Sequence, residues 1–373
     1  MEISKRIIEG RKALGYTQAQ LAEEMGVKRS LIADIEASRR NVRAGELAAL
    51  ARVLERPVEF FLSEEEPIEL ATASRAETEK VSLEIRKAEL RLRKRLEGCS
   101  LLKEVLEDDV LHVQIAEAEI DNAHIIASAN RAAKEQRAMF GLGSDPIPDL
   151  RSVLEQQVKV PVFGEPLEED FLGMLLFSED GTTAVMLVNG STRTSRRNFT
   201  IAHEWGHLIW KASHQEFTPD TFFKDAADSN EERFANAFAG QIMAPDEGIQ
   251  EHFDPGEGAD LAGHVQELAT TFGTSYQAMT YRLQNVGLIE EATAQNLRND
   301  VAIWGCPETQ QEWSGFANMS PLYHFLACRA YQQNALDETK CAELLNTTTA
   351  VFLDAMHEAA TPLAQEEKAF APD

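Results

Sequence analysis

Residues 200–210 read "TIAHEWGHLIW", and this spacing constrains the chain more than any other segment. On an α-helix, residues four apart sit on one face, one turn above the other. His203 and His207 therefore present two imidazoles to one point, and Glu204 projects to a neighbouring position. Gly206 falls in mid-helix, where glycine costs ~1 kcal/mol against alanine. Such a glycine is expected where another element packs closely. The plain alternative is an amphipathic helix with two satisfied core histidines. Gly206 argues against it, as do the short apolar runs that lead directly into the segment.

Two imidazoles on one face are two ligands for a metal such as zinc. A catalytic zinc takes three protein ligands and keeps a fourth position for water, whose pKa falls to about 7. Glu204 is then placed to accept a proton from that water and return it to a leaving amine. The third ligand is expected from a later helix. "SNEERFANAFAGQIMAP" (229–245) offers Glu232, followed one turn later by Asn236. That pair reads as ligand plus orienter, with Asn236 holding a ligand histidine by a hydrogen bond. Glu231, one residue earlier, is the weaker candidate, and His214 lies in a predicted loop.

The 373 residues allow two or three domains. The net charge is −26 and unevenly spread. Residues 1–62 hold 11 Lys and Arg against 9 Asp and Glu, which leaves −28 for the remainder. So acidic a chain does not bind nucleic acid through its bulk field, and any DNA contact must come from a local basic face. The amino terminus has no long apolar core of a secretory signal. No apolar run approaches the ~18 residues needed to cross a bilayer. Cys99, Cys306, Cys328 and Cys341 form no CxxC pair, so neither a disulfide framework nor a zinc knuckle is indicated. The expectation is a cytoplasmic protein without membrane contact.

Residues 3–62 read as four helices separated by Gly15, Gly26 and a short polar stretch, the spacing of a helix-turn-helix. Thr17 is a good N-cap for the second helix. The acidic segment 63–75 reads as a linker. From Glu77 to about Val113, apolar residues step by three or four, a stripe suited to packing or to a homodimer seam, with Gly98 as its expected interruption or bend. Residues 114–140 read as further helix. The runs "VKVPVF", "FLGMLLFS" and "TAVMLVNG" read as strands. Helices are expected at 229–243 and 259–286. The tail from Val301 has helical periodicity but no recognisable motif.

"RNFTIAHEWGHLIW", "EERFANAFAGQIMAP" and "HVQELATTFGTSYQAMTYRLQNVGLI" occur in that order and together resemble the ImmA/IrrE metallopeptidase family over roughly residues 115–292. The resemblance implies a gluzincin-like site with His203, His207 and Glu232 binding Zn2+ and Glu204 as general base. It also implies a substrate class: a helix-turn-helix repressor, cleaved in stress, DNA-damage or phage-related responses. The departures are mild. "QIMAP" stands where "LLMP" is usual, and Trp205 replaces an aliphatic residue.

"TQAQLAEEMGVKRSLIADIEASRRNVRAGELAALARVL" resembles the XRE (phage-repressor-like) helix-turn-helix family. The resemblance turns Gln18, Lys28, Arg29 and Ser30 toward a DNA groove, and Arg39, Arg40 and Arg43 toward phosphates. Asp34 is a departure, being repulsive beside phosphate. Retention of the fold as a protein-interaction module is the alternative.

Cys99 lies on the apolar stripe. It reads as a small core residue. The sharper expectation is an inhibitory thiolate ligand closing the open zinc position. The whole chain is expected to be α+β and mostly helical. An all-α helix-turn-helix domain (1–62) precedes a linker and helical connector (63–114). A zinc peptidase domain with a small sheet (115–292) and a helical sensor or oligomerisation region (293–373) follow.

Overall fold

The computed structural model describes residues 3–56, 58–62, 82–107, 109–168, 171–215, 229–256, 260–299 and 318–357. The expected linker at 63–75 lies outside the described residues. The fold is α+β and mostly helical, with one three-stranded sheet. The chain divides into two compact units, 1–93 and 94–373.

The first unit contains α1 (Ile3–Ala13), α2 (Gln18–Glu24), α3 (Arg29–Glu36), α4 (Ala44–Val53), α5 (Val58–Leu62) and the start of α6 (Leu83–Leu106). A capping box starts α2: Thr17 Oγ1 accepts from Gln20 N at 3.2 Å, and Thr17 N donates to Gln20 Oε1 at 2.8 Å. Ile7, Leu14, Leu21, Ile32, Ile35, Leu50, Leu54 and Phe61 close the core. Glu36 ties three helices together, accepting from Arg11 at 3.1 Å and from Gln18 at 2.8 Å.

The second unit holds the rest of α6, α7 (Ile125–Met139), α8 (Leu150–Val153) and a π-helical turn at Leu154–Val158. The strands β1 (Val162–Glu165), β2 (Gly173–Phe177) and β3 (Ala184–Asn189) follow, then α9 (Thr194–His214) and α10 (Asn230–Met243). Next come α11 (Asp246–His252), α12 (Leu261–Thr271), α13 (Tyr276–Val286), α14 (Glu291–Asn299), α15 (Pro321–Gln332) and α16 (Glu338–Leu344). A last helix covers 349–357.

The sheet order is β1-β3-β2. β1 runs parallel to β3, pairing Val162 with Met186, and β2 runs antiparallel to it, pairing Gly173 with Val188. All six residues of β3 are buried, as a central strand covered on both faces requires. α9 packs on β2 and β3 with one side and on α10 with the other, and α10 in turn packs on α7. The metal-candidate helix is thus the middle of a sheet–helix–helix stack.

Three local expectations are corrected. Residues 113–124 are not helical. They run as a strap tied by Val113 N to Thr182 O, Gln114 N to Val158 O, and Ala116 to the Gln136 side chain. The helix expected at 259–286 is two helices, broken where Gly273 adopts φ 64°. Gly98 does not interrupt α6, which is continuous from Leu83 to Leu106. A Cβ at Gly98 would collide with the Tyr323 hydroxyl and the Leu344 side chain, so glycine serves close packing there.

One short link recurs. A helix ends in a left-handed residue, one residue follows, and the next is the N-cap of a new helix. Gly26 does this between α2 and α3, with Gly26 N bonding Glu23 O and Val27 N bonding Ala22 O. Gly273 repeats it between α12 and α13 through Thr270 O and Ala269 O. Asn346, with φ 51°, repeats it after α16 through Glu343 O and Ala342 O. The tail is anchored before this link: Leu322 N donates to the buried Glu155 at 2.8 Å, and Arg151 donates to Met319 O at 2.7 Å.

Candidate metal centre

α9 brings His203 and His207 together because they are one turn apart, and α10 supplies Glu232 from its first turn. Ser229 N-caps α10, its Oγ accepting from Glu232 N at 3.1 Å. The helices meet at Gly206, where a Cβ would stand 2.7 Å from the Ala235 Cα. That close approach is what the mid-helix glycine anticipates.

The two histidine Nε2 atoms lie 3.0 Å apart. Glu232 Oε2 is 3.5 Å from His203 Nε2, and its Oε1 is 3.4 Å from His207 Nε2. Ligands on tetrahedral zinc with bonds of about 2.1 Å lie roughly 3.4 Å from one another. Two ring nitrogens and one carboxylate with this spacing fit a zinc ion. Among the described residues this is the one His/Cys/Asp/Glu group close enough to hold a metal.

Glu204 is buried beside the cluster. Desolvation pushes its carboxyl above the ordinary range, opposed by the nearby histidines. Its Oε1 faces the start of β2, since a Cβ at Gly173 would stand 3.5 Å from it. The Gly173 Cβ would also stand 2.7 Å from Thr200 Cγ2 and 2.9 Å from Leu187 O, so only glycine lets the strand pass over α9.

His207 is almost fully buried. Burial pulls its ring down, but hydrogen bonds to Glu231 and then Glu232 outweigh it, leaving it at about 9. Glu232 is held well below the usual carboxylate range by hydrogen bonds from His203 and His207.

Two expected site residues are elsewhere. Asn236 is exposed, and the ring of His207 is instead held by Glu231, whose Oε1 lies 2.9 Å from Nδ1. The helical wheel put Asn236 on the ligand face, but the first turn of α10 is what lies beside His207. Cys99 is fully buried in α6, and burial pushes its thiol far up. It is a core residue near Tyr323, outside the metal group, and among the described residues no thiol joins the two histidines and Glu232. His214 is also settled. Its Nδ1 bonds Trp210 O at 2.9 Å, and its ring stacks on Trp210.

In the first unit, Lys28, Arg29 and Ser30 are exposed at the start of α3. Gln18 departs from the expectation, because its amide donates to Glu36 and is half-buried. Arg39 pairs with Asp34 at 2.9 Å, so the aspartate that looked repulsive carries its own counter-charge. Arg40 pairs with Glu46 at 2.7 Å. Arg43 is exposed, and its backbone N donates to Glu46 at 3.0 Å.

The fold and this geometry define a regulator class: a helix-turn-helix unit in one chain with a metallopeptidase-like domain. Residues 155–284 match the IrrE N-terminal-like domain family, and residues 7–61 match the helix-turn-helix family. The chain thus carries a segment similar to helix-turn-helix (XRE-type) domains, followed by one similar to the ImmA/IrrE-type domain. No curated protein matches it. Among solved structures, Bacillus thuringiensis PlcR in complex with the peptide PapR7 and DNA is similar at 12% identity, over 97% of this chain and 98% of that chain. Its TM-score of 0.16 is too low to carry an argument. No helix among the described residues is long and apolar enough to cross a membrane.

Proposed function

We propose that the chain is a zinc-dependent endopeptidase that regulates transcription by cleaving a helix-turn-helix repressor partner, in a stress, DNA-damage or phage-defence response. The observation that carries this reading is the His203–His207–Glu232 cluster with Glu204 buried beside it. A structural zinc takes four protein ligands, whereas the described residues offer three. Bound zinc would supply Lewis acidity, polarising a carbonyl and acidifying water. Desolvation raises the affinity of the Glu204 carboxyl for a proton, and a carboxyl so shifted beside a metal group suits proton transfer.

The sheet supports a peptide substrate. Among the described residues β2 pairs with β3 alone, and it starts over Glu204. An extended peptide can add to such an edge by main-chain hydrogen bonds. Purified protein is expected to hold about one zinc per chain and to cut its repressor partner, with cutting abolished by a chelator and restored by zinc. A zinc-free preparation that cleaves equally well would end this reading.

The first unit is assigned to DNA, with Lys28 and Arg29 exposed at the start of α3. Replacing both with alanine is expected to weaken DNA binding across sequences and to flatten its salt dependence by about two charges. Binding measured by fluorescence anisotropy over a salt series checks this, and an unchanged slope would favour a protein-docking role. The second reading is a regulator whose zinc domain senses without cutting. The helix-turn-helix on the same chain favours it.

A further inference from the structure

The outer nitrogen of each candidate ligand histidine is treated differently. His207 Nδ1–H donates to Glu231 Oε1 at 2.9 Å, and Lys211 Nζ stands 3.8 Å from that same oxygen. The His207 side chain is only 4% exposed, so water has little access to replace this bond. His203 Nδ1 is also buried, yet has no hydrogen-bond partner among the described residues. Its ring lies near Phe199 instead.

We infer that Glu231 is the positioning residue of the metal centre, with Lys211 fixing its carboxylate and Asn236 taking no part. This rests on the zinc reading above. Glu231 accepts the Nδ1 proton of His207, which fixes the tautomer and leaves the Nε2 lone pair turned toward His203 and Glu232. A hydrogen bond from a ligand histidine to a carboxylate also makes the ring a stronger donor to metal. Adjacent glutamates thus divide two tasks. Glu232 reaches the inner nitrogens, and Glu231 reaches the outer nitrogen of one ring. Among the described residues no carboxylate reaches the outer nitrogen of His203.

The test is zinc affinity, measured by chelator competition on the full-length protein, with thermal melting of the metal-free forms as the folding control. Glu231→Ala is expected to weaken zinc binding about 10- to 100-fold. Glu231→Gln, whose amide oxygen still accepts the proton, should recover part of that loss. It also serves as the near-isosteric variant if the alanine form does not fold. Asn236→Ala should bind zinc like the wild type. Cobalt(II) in place of zinc should give a visible spectrum altered by Glu231→Ala and unaltered by Asn236→Ala. The inference fails if both Glu231 variants bind zinc within twofold of wild type, or if Asn236→Ala matches the loss. A wild-type protein that binds no zinc would sink the metal reading itself, a different result.

Discussion

A Glu204→Gln variant is expected to keep its zinc and its DNA affinity while cleavage of the partner falls by about 10²- to 10⁴-fold, the usual worth of a positioned general base. The amide has nearly the shape of the acid, so the buried space around Glu204 stays filled. It cannot accept and return a proton. The local cause is the burial that raises the affinity of Glu204 for a proton, which suits a group that must hold one between two steps. Cleavage is read by the appearance of repressor fragments, and zinc by metal analysis of the same sample. Transcription in cells carrying the variant separates the two readings. Regulation that persists without cleavage would favour sensing and dismiss proteolysis as the output.

A Gly206→Ala variant should melt several degrees lower than wild type and lose zinc affinity together with stability. The added methyl carbon would lie 2.7 Å from the Cα and 3.2 Å from the carbonyl oxygen of Ala235. Both are backbone atoms that cannot swing aside. Overpacking of this kind costs about 1–3 kcal/mol, or very roughly 2–10 °C in a domain of this size. The relief available is separation of α9 from α10. Because Ala235 is one turn from Glu232, that movement carries the third candidate ligand away from both rings. Calorimetry with and without zinc checks both halves of the expectation. Wild-type melting and wild-type zinc affinity would show that the helices do not meet as described.

The centre was legible because its parts are local. His203, Glu204 and His207 share one helix, so their relation follows from helical pitch alone. Gly206 announced a close neighbour, although only the fold identifies it as Ala235. Glu232 needed a second helix to arrive at the correct angle, which no periodicity encodes. The same ignorance exchanged Glu231 for Asn236: a helical wheel gives faces, not which turn of α10 lies against α9. Gly173 was missed because its demand arises from α9 and β3, both distant in sequence.

The helix-turn-helix was legible from Gly15, Gly26 and Thr17, whose local chemistry dictates a turn or a cap. The strap at 113–124 was misread because its bonds go to Val158, Gln136 and Thr182, none of them local. The tail showed helical periodicity but not its turn, because Asn346 takes the left-handed position that glycine holds at 26 and 273. Asparagine tolerates that conformation but does not advertise it.

The recurring link after α2, α12 and α16 sets the angle of the next helix by backbone bonding, independently of outward-facing side chains. Chemistry can then be exchanged without rebuilding the corner. At one corner the new helix begins with Lys28 and Arg29, and at another with Thr348 and Thr349. The first carries two positive charges and the second none. The chain thus uses one architectural joint with a charged face at one corner and an uncharged face at another.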